Sequence, residues 1–357
     1  MSSIAIASLH KHYVLGLLSG SQSITDMSQR GLLPFSKQYA CKLLTRDPTP
    51  HTSALERRLA KAPKDAYLAV DLLKVKHQGE RIEGVGRCYD SNSKRIMWGH
   101  ALLSSALVRP DKDPYLLRCD PFLDELMSTP LYPKLNPTEA MLTVAGDAFV
   151  AGVTIKAVLV DAEFTTRLGL RSLKHLALPL VGRFRVNAKV MFEAQKVSVR
   201  NLAERFPPGK ARWYPKLKRY VKRLEVDLEE VGVVDLVIIW KAQGFDWHLS
   251  VLISTLKAGI QELINAWNAR WSLEVSHRTR KQNLALGNCQ CFAYAAQLQH
   301  ADLVIDAFNL IRHERQRTPG LTWKQAQQQA ALNLQNTLLT GVSQLADRNS
   351  TFRTLFR

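Results

Sequence analysis

The chain has 357 residues, 46% of them hydrophobic, which is enough to bury a sizeable core and suggests two or three domains, or one domain with a large insertion. Its 49 Lys and Arg against 31 Asp and Glu leave a net charge of +18, a surplus that favours a polyanionic partner, because each cation set against a phosphate releases condensed counterions. Nucleic acid leads over an acidic membrane: no apolar run reaches the roughly 18 residues of a spanning helix, and the best, Val231 to Trp240, is broken by Asp235.

His10, Lys11 and His12 interrupt what would otherwise be a signal-peptide core, so a cytoplasmic location is expected. Cys41, Cys88, Cys119, Cys289 and Cys291 form no CxxC pair and read as reduced packing residues, with neither zinc nor disulfides expected.

Residues 1 to about 60 read as helical and basic, with breaks at Ser19-Gly20-Ser21 and around Pro34. Ile24 to Gln29 and Ser36 to Arg46 predict two short helices joined through Arg30-Gly31-Leu32-Leu33-Pro34-Phe35, with Ser36 capping the second. The pair is compatible with a helix-turn-helix that brings Lys37, Gln38, Lys42 and Arg46 to a major groove; most helix pairs with a glycine turn bind nothing, and both readings stand. The loop Asp47 to Thr52 marks a boundary.

Ala66 to Asp71 predicts an apolar strand ending in a carboxylate. Gly79, Gly84 and Gly86 then punctuate two further strands, Gly84 to Tyr89 and Lys94 to Val108, joined by a turn through Asp90-Ser91-Asn92-Ser93. Pro137 to Val150 has a helical rhythm, and Ile155 to Asp161 is again an apolar strand ending in a carboxylate. Equivalent strand ends in a sheet project into one crevice, so Asp71 and Asp161 would be neighbours although 161 − 71 = 90 positions separate them. Either Asp alone is also an ordinary turn initiator or helix cap. After Asp161 the chain is expected to turn, leaving Glu163 an outer candidate only, then to form a helix through about Lys174 and a strand from Leu180 to Val186.

From about Asn187 to Asp246 the chain reads as a β-rich insertion, with Lys189 to Val199 and the strands Val221 to Asp227 and Val233 to Trp240. Lys210, Arg212, Lys216, Lys218 and Arg219 are interleaved there with Trp213, Tyr214 and Tyr220, a composition suited to gripping phosphates and stacking on bases, and equally that of a solvated basic loop. Trp247 to Ile253 is a last strand. Beyond Gly287 the chain is expected to be helical from Cys289 to Arg315 and from Trp323 to Thr340. No repeat and no Gly-rich phosphate loop is present, so ATP is not implied.

Between these segments lies Trp267 to Lys281. On a continuous helix Trp267, Arg270, Glu274 and Lys281 fall inside a sector of about 60°, one carboxylate flanked by two cations and an aromatic ring. Glu and Arg four apart are also ordinary helix-surface pairs.

This spacing, Trp267-x2-Arg270-x3-Glu274-x6-Lys281, resembles the Tyr-Arg-Glu-Lys signature of bacterial insertion-sequence transposases of the DDE type. The resemblance covers about residues 66 to 310. It implies an α/β fold, a ribonuclease-H-like mixed sheet flanked by helices with a β-rich insertion. It also implies that Asp71, Asp161 and Glu274 are the catalytic, metal-binding carboxylates. The cofactor would be Mg²⁺, with Mn²⁺ as substitute, since hard cations take oxygen ligands. Trp267, Arg270, Lys281 and Arg278 would contact DNA beside the cut, with the basic insertion and Lys37 and Lys42 holding it elsewhere. The implied activity is cleavage at the ends of a mobile element and joining of the 3′-hydroxyls to target DNA. The partners are double-stranded DNA, both terminal inverted repeats and target, and a second copy of the chain in a synaptic complex, associated with the bacterial nucleoid.

The expected division is a helical DNA-binding region over 1–60, catalytic core over 61–186 and 247–310, the insertion over 187–246 and a helical region over 311–357. Two departures stand out: Trp267 carries no phenolic hydroxyl, and Asp71-Leu72-Leu73 stands where many relatives have Asp-Asp-Thr. A transposase-derived DNA-binding protein without catalysis, and a structure-selective nuclease of the same fold, are the alternatives.

Overall fold

The computed structural model describes residues 3–46, 50–77, 81–90, 94–122, 136–243 and 246–355. Loop residues 47–49, Gly79 and turn residues 91–93 of the sequence reading lie outside them. In chain order the elements begin with helices α1 (Ser3–Leu18), α2 (Ile24–Gln29), α3 (Lys37–Arg46) and α4 (Pro50–Leu59). Strands β1 (Ala66–Lys76), β2 (Gly86–Asp90), β3 (Arg95–Val108) and β4 (Tyr115–Pro121) follow, then α5 (Pro137–Val150), β5 (Ile155–Val160), α6 (Arg167–His175) and β6 (Leu180–Arg183). Next come β7 (Lys189–Phe192), β8 (Gln195–Ser198), α7 (Val199–Arg205), β9 (Arg212–Tyr214), β10 (Arg219–Leu228), β11 (Gly232–Gln243) and β12 (Asp246–Ser254). The chain closes with α8 (Ile260–Ala269), α9 (Trp271–Asn283), α10 (Tyr294–Arg317) and α11 (Trp323–Leu355).

The chain divides into two compact units, one of Met1–Leu55, Lys74–Ala101 and His277–Arg357, the other of Glu56–Leu73 and Leu102–Ser276. The first is largely helical. Leu9, Tyr13 and Leu17 of α1, Leu43 and Leu44 of α3 and Leu298, Ile305 and Phe308 of α10 are buried, and α10 packs against α1, α3 and α11. Tyr13 donates its hydroxyl to His300 Nδ1 at 2.9 Å while His300 Nε2 lies 2.9 Å from the Ala285 carbonyl, so both ring nitrogens of a buried histidine are satisfied. Ser36 caps α3 as expected, its Oγ accepting from the Tyr39 N–H at 3.3 Å. In the same unit β2 pairs antiparallel with the opening half of β3, Gly86 opposite Gly99.

The second unit is built on a mixed, open sheet with strand order β3-β1-β5-β6-β12-β11-β10-β7-β8, β4 adding to β3 and β9 to β10. β1 pairs parallel with β5 and β5 with β6; from β6 onward through β12, β11 and β10 to β7 the pairing is antiparallel. β5 is buried at every position but Lys156, as a parallel strand covered on both faces should be. Helix α5 starts where the sequence predicts because Asn136 and Glu139 form a reciprocal capping box ahead of Pro137. The β-rich stretch of residues 187–243 contributes to this same sheet. Asp235, which breaks the most apolar run in the sequence, is 2% exposed on β11 and accepts two hydrogen bonds from Arg223 on β10, at 2.8 and 2.6 Å.

Four boundaries differ from the sequence reading. β1 does not end at Asp71 but runs on to Lys76, β6 stops at Arg183, α10 starts at Tyr294, and Lys189 to Val199 is a hairpin followed by α7. β4 carries no sequence signal, because its central Arg118 is neutralised by Asp120 and by Asp147 of α5, at 2.6 and 2.7 Å. No helix among the described residues is long and apolar enough to cross a membrane.

Candidate active site

All three predicted carboxylates fall in the sheet-based unit. The parallel ladder between β1 and β5 pairs Leu68 with Val158 and Ala69 with Leu159. Asp71 and Asp161 each lie two residues beyond that last pair, so the backbone brings them to the same level of adjacent strands. At Asp161 the strand has ended and the chain turns, Phe164 N–H donating to the Asp161 carbonyl at 3.1 Å. The Asp161 Oδ1 accepts from the Ala162 N–H at 2.8 Å. The turn is fixed to the sheet by Thr165, whose hydroxyl is shared between the Arg183 carbonyl at 2.8 Å and the Ala162 carbonyl at 3.1 Å. Gly182 makes that approach feasible: a Cβ there would come 2.3 Å from Thr165 Cγ2. Glu163 lies on the turn and is exposed.

The stripe from Trp267 to Lys281 is not one continuous helix. α8 ends at Ala269 and α9 begins at Trp271; at the junction, Arg270 N–H donates to the Trp267 carbonyl and Leu273 N–H to the Arg270 carbonyl, a locally tightened turn. Arg270 thereby leaves the surface. Its side chain is 9% exposed, with Nη2 donating to Glu274 Oε1 at 2.5 Å and Nη1 standing 3.6 Å from Asp71 Oδ1. The guanidinium carbon lies 4.7 Å from the ring centre of half-buried Trp267, a cation–π contact. So the structure joins Trp267, Arg270, Glu274 and Asp71 around one guanidinium. Lys281 sits in the last turn of α9 and is exposed, as is Arg278.

Asp71 is the group most affected. Burial raises its pKa, Arg270 lowers it, and the charges of Glu274 and Asp161 raise it again, with a net result of about 7. One guanidinium therefore offsets only part of the negative charge that three carboxylates would carry. By donor type alone, an oxygen-only set is one that hard divalent cations take. Among the described residues, no three His, Cys, Asp or Glu side chains stand close enough as they are to ligate one ion; here Arg270 is the cation that holds Asp71 and Glu274. Arg270 Nε and Nη1 are buried donors without a hydrogen-bond acceptor.

The basic stretch of the insertion also takes defined positions. Lys210, Arg212, Lys216 and Lys218 are exposed and Arg219 is half-buried. Trp213 of β9 lies opposite Tyr220 of β10, and the Tyr220 ring contacts both Trp213, at 4.9 Å between centroids, and Trp247 of β12, at 5.5 Å. Trp213 and Trp247 remain 44% and 45% exposed. Tyr214 instead carries the guanidinium of Arg212. Trp247 was not legible as part of this group, since only the β11–β12 register brings it near. In the helical unit Lys37 is half-buried and Lys42 exposed on α3.

One feature escaped the sequence reading altogether. A groove of about 420 Å³ opens beside Ala162, with Arg183, Arg185 and Arg200 and the apolar Phe184 and Val251 among its lining residues. The spacing Arg183-Phe184-Arg185 at the end of β6 was its one sequence signal, hidden by the denser cluster of cations over residues 210–219.

No protein-family model matches the chain, and no curated protein matches it in sequence.

Proposed function

We propose that the chain is a DNA-cleaving and DNA-joining enzyme of the transposase type, with a ribonuclease-H-like core whose reacting site is formed by Asp71, Asp161 and Glu274. The observation that carries this reading is the bridging of Asp71 and Glu274, from separate segments, by Arg270, with the charge of Asp161 on the adjacent strand helping to raise the Asp71 pKa to about 7. Clustered carboxylates are costly in a fold, and functional sites are where such cost is tolerated. The parallel β1–β5–β6 arrangement, with β3 and β4 on the far side of β1, supports the ribonuclease-H-like reading.

Asp71, Asp161 and Glu274 would hold Mg²⁺, which supplies stabilisation of phosphoryl charge and activation of an oxygen nucleophile. The remaining work falls to the chain itself. Arg270, with Nε and Nη1 free of acceptors, is placed to hold a phosphate oxygen against the carboxylates once it releases Asp71. Trp267 orients the guanidinium by stacking on it. Trp213, Tyr220 and Trp247 offer faces for unstacked bases, and Lys210, Arg212, Lys216 and Lys218 grip phosphates without reading sequence. Two element ends must be handled together, so the working form is a dimer on DNA.

The test is strand cleavage and joining on a duplex carrying the element's own end, with Mg²⁺, comparing wild type with Glu274→Ala. Joined products that disappear in the variant while DNA binding persists are expected. A wild-type chain that binds the end but neither cuts nor joins, with Mg²⁺ or Mn²⁺, overturns the catalytic reading. The second reading, a DNA-binding protein without catalysis, draws support from the same bridge: Arg270 already gives two of the carboxylates a counter-charge.

A further inference from the structure

We propose that the arginine groove beside Ala162 is a binding site for a single, unpaired strand of nucleic acid, held through its phosphates by Arg183, Arg185 and Arg200. The inference rests on the nucleic-acid reading of the preceding subsection and adds to it a strand state and a site.

The charge of the groove is uncompensated. Several arginines of this unit have acidic partners: Arg118 has Asp120 and Asp147, Arg167 has Glu229, Arg171 has Glu230 and Arg223 has Asp235. Arg183, Arg185 and Arg200 are exposed, none has an ion-pair partner among the described residues, and no carboxylate lines the groove. Three arginines lining one groove without acidic partners make a cationic surface that a chain of phosphates would neutralise.

Size selects the strand state. At about 420 Å³ the groove lies within the roughly 300–1,000 Å³ range of small-molecule sites. That is the scale of a nucleotide-sized ligand, so what enters it from a longer nucleic acid is part of one strand. The lining also includes the apolar Phe184, Val186, Leu249 and Val251, which suits the face of a base better than the edge of a duplex.

The walls are fixed before any ligand arrives. Phe184 N–H donates to the Val251 carbonyl at 2.8 Å, Arg200 N–H to the Val186 carbonyl at 2.8 Å and Val199 N–H to the Ala188 carbonyl at 2.9 Å, so the segment between β6 and β7 is tied down on both sides. The groove is also continuous with the site. Ala162 lines it, Asp161 is the next residue, and Thr165 links the carbonyls of Ala162 and Arg183 through one hydroxyl. A strand lying on the three arginines runs toward the Asp161 turn. Phosphate contacts carry no base preference, so the site takes an unpaired strand of any sequence.

The test is fluorescence anisotropy with the full chain in EDTA, so that no cleavage occurs, using a blunt duplex and the same duplex with a single-stranded tail. Wild type is expected to bind the tailed duplex roughly tenfold more tightly, the equivalent of one charge-assisted hydrogen bond retained. Arg183→Ala/Arg185→Ala/Arg200→Ala should lose that preference while keeping its affinity for the blunt duplex. Should the triple variant not fold by circular dichroism, Arg200→Glu alone, at an exposed position, decides the matter by the same comparison. Equal wild-type affinity for both DNAs, no binding to either, or a preference that survives the substitutions overturns the inference. Because no metal is present, a groove that passes this test stands even if Mg²⁺-dependent cleavage is never observed.

Discussion

Arg270 Nη1 stands 3.6 Å from Asp71 Oδ1, so a residue at a helix junction supplies the counter-charge for a carboxylate in the interior of a strand. With side-chain exposures of 9% and 16%, the pair is screened little by solvent. Replacing Arg270 by Ala removes the cation that bridges Asp71 and Glu274. Removing one partner of a buried pair costs about 3–5 kcal/mol. A clear fall in Tm is expected in EDTA, with Mg²⁺ recovering more stability in the variant than in wild type. Thermal melts of both proteins with and without Mg²⁺ measure this, and an unchanged Tm would remove Arg270 from the site's electrostatics.

The proton on Asp71 gives stability a definite slope with pH. Its folded pKa is about 7 against an ordinary 3.8, so between those values the folded chain binds a proton that the unfolded chain has lost. Stability contributed by this group is therefore greatest below about pH 4, falls as pH rises toward 7, and is level above. Asp71→Asn abolishes the dependence. In EDTA the variant should match wild type near pH 4 and exceed it above pH 7, by no more than about 4 kcal/mol. Denaturant unfolding of both proteins across this range is the measurement, and parallel curves would contradict the assignment.

Gly182 tests how closely the Asp161 turn is seated. A methyl group there meets Thr165 Cγ2 at 2.3 Å and Val160 Cγ2 at 3.1 Å. Gly182→Ala should cost about 1–3 kcal/mol, the usual range for overpacking. Thr165→Ser removes the offending methyl and keeps the hydroxyl, so the double variant should regain part of the loss. Independent, additive effects in chemical denaturation would show that the clash is not the cause.

Lys216 and Lys218 are exposed on the basic stretch ahead of β10. If both face phosphates, changing them to Ala weakens binding to every DNA sequence alike. The dependence of log K on log salt should become shallower by about 0.9 for each phosphate no longer neutralised. Titrations at several salt concentrations measure the slope; an unaltered slope would take this surface out of the DNA path.

Much of the architecture was legible because it is locally encoded. Ser36 ahead of α3, the helical rhythm of α5 from Pro137 to Val150 and the apolar run of β5, interrupted only by Lys156, are each settled within a few residues of sequence, and each lies where the pattern placed it. What was not legible depends on partners far along the chain. The break at Arg270 has no glycine or proline to announce it. β4 hides behind Arg118, whose charge is met by Asp147, and Trp247 joins Tyr220 only through strand register. Spacing alone paired Arg270 with Glu274, since i,i+4 neighbours meet on a helix, but the approach to Asp71 could come only from the fold.

The hydroxyl of Thr165, held by the carbonyls of Ala162 and Arg183, has a thermodynamic consequence for recognition. A carboxylate on a loose loop would have to surrender backbone freedom, on the order of 1–2 kcal/mol for each residue immobilised, whenever it engaged a ligand. The Asp161 turn has already lost that freedom on folding. Its direction is inherited from the sheet rather than imposed by what it meets, so association there carries little ordering entropy, and affinity is governed by the charges that come together.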